Sequence, residues 1–380
     1  MQLPLNHWPW MSEDVAQFRS AARRFIEAEL APRLEGWREQ GHVDAEAWRK
    51  AGALGLLLPE LPEEWGGAGG TLAHQLVWQE ELARAEMPVS ASVHSIASHY
   101  ILDHGTEAQK QRWLPRLATG ELFAGIAMTE PDAGSDLQGI RTRAVREGDH
   151  FIVNGSKTFI TNGATANLML VVARTGDGPK GFSILVMETE ALTGYAAGPP
   201  LAKLGQKASD TTELFFDGVK VPAANLLGGT EGRGFAYLMA QLPYERTLLA
   251  VAAAAIMERA LELTVAYTKE RKAFGQPLFE FQNTRFKLAE CATAAHVVRS
   301  FVNDCIQRLL DGSLAPTAAY MAKWWCAEQQ FHMLDECLQL FGGYGYMTEY
   351  PIARMWVDAR VQKIYGGTNE IMKELIARSL

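Results

Sequence analysis

DHFIVNGSKTFITNG, residues Asp149 to Gly163, is the stretch on which the fold turns. Its apolar residues recur with a period of two and it is rich in β-branched and aromatic side chains, which reads as strand. Asn154-Gly155 in its middle predicts a two-residue hairpin turn. The runs LMLVVAR, GFSILVMETE and TTELFFDGVKVP share this character, so residues 123–230 are expected to form an antiparallel, β-barrel-like domain. Outside that window the period changes. Upstream, Val15, Phe18, Ala22, Phe25, Ile26 and Leu30 share one helical face behind an acidic first turn of Glu13 and Asp14. Further helices fit Asp44 to Ala53, Leu72 to Ala85 and Ser90 to His104, which makes residues 1–122 an all-α domain. Downstream of GGTEGRGF the helical period holds through Arg246 to Arg271, Gln282 to Asp311 and Ala315 to Phe341. Residues 231–380 therefore predict a four-helix bundle, long enough to pack against another subunit, and the fold class is α+β.

Composition narrows the function classes. A chain of 380 residues supports two or three domains, and a net charge of −8 without a basic tract argues against a nucleic-acid surface or a polybasic membrane anchor. No window approaches the ~18 uninterrupted apolar residues that a bilayer span needs. The N-terminus has neither a signal-peptide nor a transit-peptide pattern, so a cytoplasmic protein is expected, or a matrix protein for a mature mitochondrial chain. Cys291, Cys305, Cys326 and Cys337 lie in helical sequence with no C-x-x-C pair and read as buried thiols in a reducing compartment.

Few local motifs are decisive alone. GDGPKG, Gly176 to Gly181, matches a dinucleotide pattern but lies between strand-like runs with no helix after it, so a hairpin turn is expected. His94, His99 and His104 recur every five residues, a spacing that spreads them around a helix and does not gather them on a metal. GIAMTEPDAGSD offers small residues and hydroxyls, Thr129, Gly134 and Ser135, suited to a polar heterocycle and a phosphate-bearing chain. KTFITNG places Phe159 and Thr161 where an aromatic face and a hydroxyl could meet the same ligand. In IYGGTNEIMKE, two glycines precede a helix start, as where a ligand approaches bare backbone.

MTEPDAGSD, NGSKTFITNG, ERKAFGQPLFEFQ, QLFGGYGYMTEYPIARMWVDARV and IYGGTNEI together resemble the acyl-CoA dehydrogenase family, in order and in register over residues 12 to 380. The resemblance implies FAD held between the β domain and the C-terminal bundle. Ile126, Met128 and Thr129 would border the flavin ring, Gly134 and Ser135 would face the flavin and the substrate's pantetheine arm, and Phe159 and Thr161 would cover its other edge. Arg271, Phe274, Gln282, Gln339, Gly342 and Gly343 would reach the pyrophosphate and adenosine of a neighbouring subunit's FAD in a homotetramer, and Thr368, Asn369 and Glu370 would complete the site. The electron acceptor implied is an electron-transferring flavoprotein.

Oxidising an acyl-CoA to the 2-enoyl-CoA requires a base for the α-proton. Many members of the family carry it as a Glu directly after the Tyr of the last motif; here that position is Gly366. The long-chain and isovaleryl subgroup places a Glu before an Arg at a helix start, and LPYERTLLA puts Glu245 there. Glu245 is the expected base, with Tyr244, Arg246, Gly366 and Gly367 beside the substrate and the Gly366 N–H polarising the thioester carbonyl. A medium, long or branched acyl chain is expected, since Ser90, Ala91, Ser92, Ala97 and Ser98 hint at a roomy channel. A flavin oxidase or monooxygenase of the same fold, and a non-catalytic FAD-binding protein, remain alternatives.

Overall fold

The computed structural model describes residues 8–178, 181–190 and 192–380. Six helices come first: α1 (Glu13–Phe25), α2 (Leu34–Gln40), α3 (Ala45–Ala53), α4 (Leu72–Arg84), α5 (Ser90–His104) and α6 (Glu107–Ala118). In α4 every residue from Ala73 to Ala83 is buried. A helix covered all round belongs inside a core, and α4 is wedged between α1 and the C-terminal helices.

Seven strands follow: β1 (Ala124–Ala127), β2 (Arg143–Glu147), β3 (His150–Thr161), β4 (Leu168–Arg174), β5 (Phe182–Glu188), β6 (Tyr195–Ala197) and β7 (Thr211–Pro222). They form one curled sheet in the order β1-β4-β2-β3-β7-β6, with β5 also on β4. The expected all-antiparallel pairing is corrected here. β1 runs parallel to β4 from Ala124–Leu168 to Ala127–Val171, and β2 meets β4 in parallel at Arg143–Arg174. The β2–β3 hairpin lies within the connection from β1 to β4, and a long connection of that kind permits parallel pairing.

The expected turn at Asn154-Gly155 is also corrected. Both residues lie inside β3, where the register against β7 shifts between Val153 and Gly155. Pairing with β7 on both sides overrides the local turn preference, and Gly155 is held at φ +144° with a Cβ position only 2.6 Å from Thr142 Oγ1. The hairpin forms instead at Gly148-Asp149, with Glu147 opposite His150 and Gly148 at φ +64°. GDGPKG does turn the chain between the antiparallel strands β4 and β5, although its residues 179 and 180 lie outside the described residues.

The C-terminal part comprises α7 (Gly234–Glu270), α8 (Gln282–Leu310), α9 (Pro316–Phe341), α10 (Pro351–Ala359) and α11 (Asn369–Ala377). Three long helices make the bundle, and the two short ones pack on α9. α7 starts well before Arg246 and runs through Pro243, a residue that ordinarily ends a helix. Alanines at 250 and 252–255 let neighbouring helices close in, and Ala83 of α4 packs on Ala252 and Ala255. The four cysteines are buried free thiols. Among the described residues no helix is long and apolar enough to cross a membrane.

Candidate active site

A cavity of about 740 Å³ opens where the helical parts meet the sheet. Ile126 from the end of β1, Met128, Thr129, Gly134 and Ser135 from the next loop, and Phe159 and Thr161 from β3 line one side. Glu245 and Arg246 from α7 and Gly366 and Gly367 from the turn before α11 line another. Residues far apart in sequence are thus brought together.

Local structure explains how the sheet side is presented. A second register shift in β3, between Lys157 and Ile160, holds Phe159 at φ +57° and leaves it 68% exposed. A bulge of this kind re-aims a side chain, here toward the cavity. The loop carrying Thr129 to Ser135 is pinned by an ion pair that sequence reasoning missed. Lys157 Nζ, fully buried, donates to Glu130 Oε1 at 2.8 Å and to the Met128 carbonyl at 2.9 Å. Glu130 also accepts from the backbone N–H groups of Arg141 and Thr142, at 2.6 and 2.9 Å. Burial draws Lys157 down to about 8 despite its partner. The signal was present: opposite charges inside MTEPDAGSD and NGSKTFITNG, two segments otherwise read as covered.

Glu245 is buried in the interior of α7, which corrects the expectation of a first-turn carboxylate and removes the helix-terminus explanation for it. Its Oε1 accepts from the Tyr100 hydroxyl of α5 at 2.8 Å. Burial pushes its pKa above the ordinary carboxylate range, while the Tyr100 hydroxyl and the Arg246 guanidinium pull it down without cancelling the rise. Arg246 lies over the Tyr320 ring and donates from Nε to the Gly366 carbonyl at 3.2 Å, and its buried Nη1 has no partner among the described residues. Gly366 is held at φ +65° and Gly367 at φ +90°, conformations that favour glycine at both positions.

Other expected residues lie elsewhere. Tyr244 does not line the cavity; its hydroxyl meets Ser95 Oγ at 3.0 Å and Glu60 Oε1 at 3.2 Å, and its ring stacks on His99. Thr368 caps α11 by accepting from the Ile371 N–H, Asn369 bonds Lys323 and Glu328, and Glu370 is exposed. Arg271, Gln339, Gly342 and Gly343 line a separate cavity of about 570 Å³, while Phe274, 97% exposed, and Gln282 lie outside it. Of the five small residues read as channel lining, only Ser92 faces the first cavity. Ser90 bonds Ser209, Ser98 bonds the His94 carbonyl, and Ala91 and Ala97 are core.

The acyl-CoA dehydrogenase N-terminal domain matches residues 12–121, the middle domain 125–219 and the C-terminal domain 232–380. The mitochondrial long-chain specific acyl-CoA dehydrogenase of Sus scrofa is 46% identical over 369 residues, covering 96% of this chain and 85% of that protein. The crystal structure of an acyl-CoA dehydrogenase from Geobacillus kaustophilus is similar at a TM-score of 0.95 and 44% identity, over 98% of this chain and 99% of that one. A glutaryl-CoA dehydrogenase from Mycobacterium smegmatis in complex with FADH2 is similar at a TM-score of 0.90 and 30% identity, over 97% and 95%. All three domains are therefore met in order along one chain, and the protein belongs to the acyl-CoA dehydrogenase family.

Proposed function

We propose that the chain is an FAD-dependent dehydrogenase that converts a saturated, long-chain acyl-CoA to its trans-2-enoyl-CoA, with Glu245 as the base. The observation that carries this is Glu245 itself, a buried carboxylate with raised pKa on the wall of the large cavity, which Gly366, where many relatives have an acid, also lines. Such a carboxylate is nearer working pH than free Glu and so better matched to taking a proton. The residues suit a flavin nucleotide: Gly134 on the wall of the first cavity and Gly342 and Gly343 on that of the second present backbone to the cavity with no side chain between. Arg271 adds a planar cation suited to a pyrophosphate. Bound FAD would supply the acceptor for the hydride that leaves the β-carbon.

The chain's own part is proton removal and orientation. Glu245 takes the α-proton, and the Gly366 N–H polarises the thioester carbonyl through a main-chain donor that survives loss of the acid. Leu82, Met87, Val93, Ile96, Leu249 and Ile256 give the cavity an apolar wall. From Glu245 to Ile256 α7 rises about 16 Å, room for a long acyl chain. A homotetramer that shares FAD across subunits and an electron-transferring flavoprotein as acceptor complete the reading. The placement of Arg271, Gln339 and Gly343 in a second cavity supports the shared cofactor.

Anaerobic mixing of the purified protein with acyl-CoAs of increasing length tests it. Non-covalent FAD and bleaching of its yellow colour, strongest with long chains, are expected. Protein that binds FAD but is reduced by no acyl-CoA would overturn the assignment, and rapid reoxidation by O₂ would favour an oxidase.

A further inference from the structure

Outside the motifs, one fully buried tyrosine directs its only hydrogen bond to Glu245. Tyr100 is on α5, in the first helical domain, with no exposed surface. Its hydroxyl donates to Glu245 Oε1 at 2.8 Å, while Glu245 Oε2 has no hydrogen-bond partner among the described residues. Oε2 is not sealed away unpaired, unlike the nearby Glu60 Oε2. The two oxygens of the carboxylate are therefore inequivalent.

We propose that Tyr100 is a positioning residue for proton abstraction: its hydroxyl holds Oε1 of Glu245, turns Oε2 to the cavity as the atom that takes the α-proton, and favours the ionised carboxylate. This rests on Glu245 being the base. In the step, the α C–H bond breaks, its proton bonds to Oε2, and the Tyr100 O–H bond persists throughout. Burial and the adjacent carboxylate raise Tyr100 well above its ordinary pKa, so it remains a donor over the working range.

Other groups facing Glu245 are accounted for. Arg246 is on its own helix and is itself bonded to the Gly366 carbonyl. From α5 comes His99, backed by Asp103 at 3.4 Å and Glu60 at 4.0 Å. Tyr320 and Lys323 of α9 stand near Arg246. None of these donates a hydrogen bond to Glu245, so Tyr100 alone distinguishes its oxygens.

The test uses the FAD-loaded enzyme. Flavin reduction by acyl-CoA is followed against pH in single turnover, and the Glu245 carboxyl is titrated directly by isotope-edited infrared difference against Glu245→Gln. In Tyr100→Phe the rising limb of the rate and the infrared titration should both move to higher pH by about one unit, since a donor to the charged form has gone. Below that limb the rate should fall roughly tenfold. Fluorinated tyrosine at position 100 keeps the size but donates more strongly. It should move both readouts to lower pH, and it decides the matter if the Phe variant fails to fold. Parent pH profiles and infrared titrations in both variants would overturn the role of Tyr100. Glu245→Gln at the parent rate would instead overturn the assignment of the base.

Discussion

Two buried glutamates show how the same side chain is put to opposite uses. Glu80 of α4 and Glu245 of α7 are 3% and 8% exposed. Burial would raise the pKa of Glu80 too, but Arg299 of α8 and Arg19 of α1 close on it and hold it below the ordinary range. Arg299 is in turn gripped by Glu258 of α7 at 2.7 and 2.9 Å, so the cluster ties four helices into one charge-balanced knot. Glu245 has no ion pair among the described residues; its neighbour Arg246 is turned toward the Gly366 carbonyl, and a neutral tyrosine hydroxyl is its one donor. Depth alone does not decide what a carboxylate does. A carboxylate fastened by cations cannot change protonation cheaply, whereas one held by a neutral donor stays ready to accept a proton.

The comparison can be broken from either side. Glu245→Gln should lower flavin reduction by acyl-CoA by ~10²–10⁴-fold, about 3–5 kcal/mol of barrier, while the denaturation midpoint stays near the parent's; stopped-flow spectroscopy and thermal melting measure the two. Glu80→Gln should do the reverse. Removing one partner of a buried ion cluster costs about 3 kcal/mol of stability in denaturant titrations, with the single-turnover rate of folded protein unchanged. A Glu80 variant as stable as its parent would show that the knot is decorative.

A third buried group, one without any charged partner, sharpens the contrast. His94 is sandwiched on Phe123, accepts from the Ala124 N–H at 3.0 Å and reaches the Leu117 carbonyl at 3.2 Å, so both ring nitrogens are committed to the neutral form. Burial lowers its pKa to about 3 against 6.5 unfolded. The unfolded chain therefore binds the extra proton first, and stability falls as pH drops from 6.5 toward 3. From this group the loss should reach about 2 kcal/mol at pH 5. Urea midpoints at pH 7 and 5 for the parent and for His94→Gln isolate it, and equal pH dependence in both would reassign the effect.

The smallest expected effect is a rescue. Gly366→Glu added to Glu245→Gln should recover on the order of tenfold of the lost rate, because a misplacement of about 1 Å costs on the order of 10²-fold. A Cβ at Gly366 would sit 2.6 Å from Leu249 Cδ1, at a φ of +65°. Shortening that neighbour with Leu249→Ala should improve the rescue, and no rescue in either background would show that position 366 cannot deliver a base.

Much of the fold was legible because periodicity is local. The change of period at about Phe123 separated sheet from helix, and α5 begins and ends where its apolar spacing said. What failed was whatever depended on partners. Asn154-Gly155 looks like a turn until β7 pairs across it, and the helix read from Arg246 in fact begins at Gly234 and runs on through Pro243. Glu245 came from a family register and from a missing acid at Gly366, and no periodicity would have chosen it. Tyr100 could not be found at all, since nothing near it in sequence announces a neighbour on α7.

Helix α7 carries Glu245 in its first half and delivers Arg271 just past its C-terminus, with about 39 Å of axial rise between them. If, as proposed, Glu245 stands beside the flavin ring and Arg271 holds a pyrophosphate, that interval places the two residues at different FAD molecules. In genetic terms, lesions at Glu245 and Arg271 should then complement each other within the one gene. A chain defective at the first and a chain defective at the second, expressed together, would still compose one active site with both residues intact.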